Sequence, residues 1–264
     1  ARLDAETAAG TSRGVLHGVP VAVKDLCNTA GVATAAGMTI HRRNVPTSDA
    51  TVVARLKAAG AVILGKLQMT EGAYGAHHPD IPAPLNPWNA AYWTGSSSSG
   101  SGAATASGLC FASLGSDTGG SIRFPSTMNG LTGLKPTWGR VSRAGVFALA
   151  ESLDHIGPMT RSALDAALVL GVIAGADVDD PTAVSLPVPD YAGSIGASVR
   201  GRRIGVPTNL HGLDGDAQRA FDGAAATLKQ AGAVLVDVKL PASFDQAGYD
   251  WVPLCGVEAA LAHE

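Results

Sequence analysis

Between residues 95 and 125 the chain carries two clusters of serine and glycine separated by a run of small residues: GSSSSGSG at 95–102 and GSDTGGSIRFP at 115–125. Side chains this small let two backbone segments approach more closely than ordinary packing allows, and glycine reaches backbone angles closed to other residues. Loops of this kind leave N–H groups free to converge on an anion and present a hydroxyl to a carbonyl carbon. The 33 glycines exceed the average share of roughly 7%, yet they fall in motifs rather than repeats, which argues against low-complexity disorder.

With 264 residues, 46% of them hydrophobic and 16% charged, the chain can bury a sizeable core. The formal net charge is −3, and no basic run exceeds two residues (Arg42-Arg43 and Arg202-Arg203), so no electrostatic footprint for nucleic acid is present. No apolar run approaches the roughly 18 residues of a membrane span. The opening ARLDAETAAG has no signal-peptide core. Three widely spaced cysteines (Cys27, Cys110, Cys255) suggest neither a disulfide framework nor a zinc site. A cytoplasmic protein is expected. The chain reads as one domain over 1–264, incomplete at both ends, with a Pro/Asp-rich linker at 177–201 as its internal boundary.

Residues 18–25 (GVPVAVKD) read as a short buried strand, 49–60 as an amphipathic helix with Val52, Val53 and Leu56 on one face, and 61–67 as a second buried strand. The four prolines of 79–89 demand irregular loop. A helix is expected over 101–108, a strand over 110–114, and a helix over 161–176 with Leu164, Leu168 and Ile173 along its apolar face. After the linker, RRIGVP, a helix over 216–232 and AVLVDVKL form a strand–helix–strand unit. The alternation predicts an α/β protein with a mixed, largely parallel central sheet covered by helices on both faces.

A serine hydroxyl needs a base to become a nucleophile. None of the seven histidines sits in a motif that calls for one, and the G-x-S-x-G elbow is absent because Ser99 stands where its second glycine belongs. Lys24, at the end of an apolar strand, is the better base, since desolvation lowers a buried lysine's pKa. Residues 60–66 imitate a phosphate-binding loop, but Leu67 replaces its closing hydroxyl and the interior is a hydrophobic strand. His77-His78 lack a third ligand and read as solvated, so no metal is expected.

LHGVPVAVKD, GAVILGKLQMTEGAYG, NPWN, GSSSSGSG, GSDTGGSIRFPSTMNGLTGLKPTWGRVS and LDHIGPMTR, in that order, resemble the amidase signature hydrolases, over about residues 14–180. The resemblance implies a Ser–cis-Ser–Lys triad: Ser121 as nucleophile, Ser97 as bridging serine held through a cis peptide bond, and Lys24 as base. Because 96 and 99 are serines where glycine is common, a slip of one would make Ser98 the bridge. Ser98 otherwise orients the cis peptide or caps the following helix. The implied oxyanion donors are the backbone N–H groups of Thr118, Gly119, Gly120 and Ser121. Asp117 and Arg123 read as braces of the nucleophile loop, Asp154 as a structural anchor, and Met69 and Tyr74 as candidates for the acyl pocket or the core.

The expected activity is cofactor-free hydrolysis of a small amide, carbamate (as in a urethanase) or ester through an acyl-enzyme on Ser121. The expected partner is that small molecule, with no nucleic acid and no membrane; a homodimer stays open. Two other readings compete: the glutamine-hydrolysing subunit of a tRNA-dependent amidotransferase, and a truncated, catalytically silent fragment.

Overall fold

The structure is a computed structural model that describes residues 1–264, and it divides into two compact units, residues 1–193 with 255–264, and residues 194–254. In the first unit, after a helix α1 (Arg2–Ala8), the elements are β1 (Pro20–Lys24), α2 (Thr51–Ala58), β2 (Val62–Leu67), α3 (Ser99–Ala106), β3 (Ala112–Asp117), α4 (Arg123–Met128), β4 (Thr132–Gly133), β5 (His155–Thr160) and α5 (Ala163–Ile173). The five strands form one sheet in the order β2-β1-β3-β5-β4. β1 runs parallel to both β2 and β3, and only β5 opposes the rest, pairing antiparallel with β3 and β4. This is the mixed, largely parallel α/β sheet expected.

Burial along the strands explains why the centre of the sheet is so poor in large side chains. Every residue of β3 (ASLGSD) is buried, which requires cover on both faces. Helix α3 packs against β3 and β1, and α4 against α3; α5 packs against β5 and α2. β2 departs from expectation: its apolar run predicts a buried strand, yet it is the edge strand, with Leu64 54% exposed. Helix α5 also turns differently from its predicted stripe. Ala166, Ala167, Val169, Leu170 and Ile173 are buried where the helix packs on β5 and α2, whereas Leu164 is exposed; the Ser162 hydroxyl caps the helix start, accepting from Asp165 N–H at 3.1 Å.

Two further boundaries differ from expectation. α3 begins inside the first serine cluster rather than at residue 101, and β3 runs through Gly115 and Ser116 to Asp117 rather than stopping at 114. β5 has no counterpart among the predicted strands, because Gly157 and Pro158 signal a break. Pro158 is accommodated opposite Leu114, with its carbonyl accepting from Leu134 N–H at 3.0 Å.

In the second unit β6 (Arg203–Pro207) and β7 (Val234–Val238) pair in parallel across α6 (Gly215–Gln230). The Asp214 carboxylate caps α6, accepting from Asp216 and Ala217 N–H at 3.0 and 2.8 Å. Helix α7 (Ser243–Ala262) contains Pro253 and contributes its residues from Cys255 on to the first unit. There Glu258 accepts from Ser152 N–H at 2.9 Å. No helix is long and apolar enough to cross a membrane.

The burial contrast gives a direct test. Leu114 is 1% exposed on β3, so Leu114→Ala is expected to cost about 2–5 kcal/mol in a denaturant melt. At the exposed edge Leu64→Ala should stay within about 0.5 kcal/mol.

Candidate active site

Lys24 ends β1 with none of its surface exposed. Its Nζ donates to Ser97 Oγ at 2.6 Å and to Ser116 Oγ at 2.8 Å. Asp154 and Asp117 act on it only through longer-range attraction. Two hydrogen bonds to an ammonium return about 1.5–3 kcal/mol each. Enclosing that charge costs several kcal/mol even after relaxation, and far more in the idealised limit. Burial therefore prevails over the attraction of the carboxylates, drawing the Lys24 pKa down from 10.5 to about 7.

Ser97 reaches Lys24 from the turn that enters α3. The Ser96–Ser97 peptide bond is cis, and Ser97 O accepts from Thr70 N–H at 3.2 Å. Glycine is required on both sides of this turn. Gly95 has φ +78°, and a Cβ there would lie 2.5 Å from Pro125 Cα. A Cβ on Gly100 would lie 2.5 Å from Gln68 O. The two serine-glycine clusters thus touch backbone to backbone.

Ser98, for which the sequence leaves three roles open (bridge, support of the cis peptide, helix cap), makes neither the lysine contact nor a side-chain cap of α3. Its Oγ donates to Ser116 O at 3.2 Å and accepts from Ser116 N–H at 3.3 Å, binding the turn to β3. Ser121 is half-buried in the loop after β3, and its carbonyl accepts from Ser98 N–H at 3.4 Å.

Asp117, fully buried, organises that loop. Its carboxylate accepts from Gly120 N–H at 2.7 Å and Ile122 N–H at 3.1 Å, and from Arg123 Nε and Nη2 at 3.0 and 2.9 Å. Burial works against its charge, but the Arg123 guanidinium and the backbone donors outweigh it and hold the carboxyl below its ordinary value. One of the four backbone N–H groups expected at the oxyanion, that of Gly120, is thereby turned toward Asp117. Thr118 Oγ1 donates to Asp154 Oδ1 at 2.5 Å, and Asp154 Oδ2 accepts from Leu149 and Ala150 N–H at 2.8 and 3.1 Å.

Met69 lies in the core, while Tyr74 is 46% exposed. Neither lines the cavity of about 220 Å³ that reaches the cluster at Ser116 and is walled by Leu26, Ala73, Leu149 and Ile156. The two adjacent histidines, expected to be solvated, are instead half-buried and bonded: His77 Nε2 is 3.1 Å from Ser99 Oγ, and His78 Nε2 is 3.1 Å from Thr39 Oγ1. All three cysteines are buried free thiols. Sequence reasoning missed Ser116. The register of β1 and β3, in which Val23 pairs with Leu114, sets Lys24 level with Gly115, and Ser116 follows one residue beyond, in a stretch that reads locally as turn.

Lys24 binds fewer protons folded than unfolded between pH 7 and 10.5, so its contribution to stability should rise with pH across that window. Denaturant melts at about pH 7 and about pH 9.5 should show this increment in the wild type and not in Lys24→Met. Asp117→Ala, which strands buried N–H donors, is expected to cost at least about 2 kcal/mol. Arg123→Ala, which leaves the buried Asp117 carboxylate without its cation, should cost about 1–3 kcal/mol in the same melts.

The family model described as Amidase matches residues 1–259. The chain is 64% identical over 203 residues to the putative amidase AmiD of Mycobacterium tuberculosis (strain ATCC 25618 / H37Rv), covering 77% of this chain and 42% of that protein. It is 51% identical over 244 residues to a glutamyl-tRNA(Gln) amidotransferase subunit of Anaeromyxobacter dehalogenans (strain 2CP-C), covering 91% of this chain and 50% of that one. The native peptide amidase of Stenotrophomonas maltophilia superimposes with a TM-score of 0.88 at 38% identity, over 98% of this chain and 55% of its own. The chain spans about half the length of the curated relatives it matches.

Proposed function

The chain belongs to the amidase family, and we propose that it hydrolyses the C–N bond of small amides through an acyl-enzyme on Ser121. One observation carries the reading: a fully enclosed lysine whose only hydrogen-bond partners are hydroxyls, one of them Ser97 of the first serine cluster. An amine that loses its proton near pH 7 is suited to general-base work.

In this reading neutral Lys24 takes the proton of Ser97, and Ser97 takes that of Ser121 as Ser121 Oγ attacks the carbonyl carbon. The negative oxygen is received by the backbone N–H groups of Gly119 and Ser121, beside Thr118; each such donor is worth on the order of 3 kcal/mol in the barrier. Gly120 acts indirectly, its N–H holding the loop on Asp117. Collapse of the adduct breaks the C–N bond, and the proton on Lys24 returns through Ser97 to the leaving amine. Water then releases the acid from Ser121 along the same path. Carbamates and esters present the same electrophilic carbon and belong to the same proposed substrate class.

The likeness to the amidotransferase of Anaeromyxobacter dehalogenans supports a second reading, in which the amide is glutamine and the site works only within an assembly. Turnover of simple amides by the isolated chain separates the two.

Incubation with a fluorophosphonate, followed by intact-mass spectrometry and peptide mapping, is expected to give a single adduct on Ser121 that is absent in Ser121→Ala. A cooperatively folded chain with no adduct would overturn the hydrolytic reading and favour the silent fragment. Amide hydrolysis should fall as pH drops through about 7, and Lys24→Ala should lose several orders of magnitude; a rate maximum near pH 4 would exclude the relay.

A further inference from the structure

We propose that Ser116 is a positioning residue for the base: its hydroxyl takes one N–H of Lys24 and so turns the amine lone pair toward Ser97. The inference rests on the hydrolytic reading above and adds to it a residue outside the Ser–Ser–Lys set.

A neutral primary amine has two N–H donors and a single lone pair. To receive a proton from Ser97, that lone pair must point at Ser97 Oγ. The lysine side chain does not choose this orientation, because its terminal nitrogen turns freely on a flexible four-carbon stem. The surroundings must choose. Within hydrogen-bond reach of Nζ there are two groups, Ser97 Oγ at 2.6 Å and Ser116 Oγ at 2.8 Å. If Ser97 is to donate, Ser116 must accept.

Ser116 is built to stay in place. It lies in β3, opposite Ile156 of β5, and is buried. Its backbone N–H and C=O are both bonded to the Ser98 hydroxyl, at 3.3 and 3.2 Å. Ser98 directly follows Ser97, so one side chain sets the spacing between the two hydroxyls that share the lysine. Ser97 sits in a turn that touches the nucleophile loop, whereas Ser116 is held within a strand. The geometry therefore gives the two serines different tasks: Ser97 passes the proton, and Ser116 orients its acceptor.

The test follows Lys24 itself as well as turnover. Lysine labelled with ¹³C at Cε, with the Lys24 signal assigned by its loss in Lys24→Met, reports the titration of the amine by NMR. In Ser116→Ala the ammonium loses an acceptor, so the Lys24 titration and the acid limb of the rate profile should both move down by about one pH unit. Turnover on the alkaline plateau should fall about 10- to 100-fold with KM little changed. Ser116→Thr, which keeps the hydroxyl, should restore both. Should Ser116→Ala fail to melt cooperatively, Ser116→Cys keeps the volume and offers only a weak acceptor, and should show the same shifts.

A folded Ser116→Ala or Ser116→Cys protein with an unmoved Lys24 titration would overturn the proposal. So would a shift that Ser116→Thr fails to reverse. A Lys24 signal that moves as expected, in a wild-type chain that neither turns over amides nor takes the fluorophosphonate, would sink the hydrolytic reading while leaving the control of Lys24 by Ser116 standing.

Discussion

An enclosed ammonium with no carboxylate at hand is the constraint on which the rest of the site depends. Lys24 is carried by a central strand into a place where its charge is poorly tolerated, and two serine hydroxyls are all that meet it. Solvation lost on burial exceeds what two hydrogen bonds return, so the neutral amine becomes accessible near neutral pH. Had Asp117 or Asp154 stood in direct contact, its charge would have opposed the effect of burial and favoured the ammonium. Instead Asp117 is occupied by Arg123 and by backbone N–H groups of the loop after β3, and Asp154 by Thr118, Leu149 and Ala150.

Bringing a strand end, a helix entry and a loop onto one lysine demands close backbone approach, and here the small residues matter. The first serine-glycine cluster lies against Pro125 on one side and Gln68 on the other, at separations that a single methyl group would fill. Hydroxyls compensate for the lack of bulk by tying elements together. Ser98 binds its turn to Ser116, and Ser101 donates to Leu114 O at 2.9 Å. The centre of this protein is a hydrogen-bonded seam of small polar residues inside a covered sheet.

Much of this was legible along the chain. Valines alternating into Lys24 gave a strand that ends in a base candidate, and the order of the motifs pointed to the family that the comparison identifies. Other parts were hidden for physical reasons. Propensity reads Gly115, Ser116 and Asp117 as turn, yet pairing with β5 makes them strand. Gly157 and Pro158 look like a break, yet β5 lies inside the sheet, paired to β3 on one side and β4 on the other. Leu164 fits a helical stripe, yet the face that α5 packs on β5 and α2 leaves it at the surface. All three misreadings have one cause, long-range packing or pairing that overrides local preference.

The sequence by itself determined which chemistry is available: serines beside glycines, a lysine closing an apolar strand, no histidine in a catalytic setting, and an alternation of strands and helices. These depend on residue type and spacing, which a linear reading preserves. Only the tertiary structure decided which serine meets the lysine, that Gly120 N–H turns to Asp117, that Met69 is core and Tyr74 surface, and that Ser116 is the second hydroxyl on Lys24. Those outcomes turn on strand register and loop contact over a few ångströms between residues as many as 92 positions apart, and no local signal carries that distance.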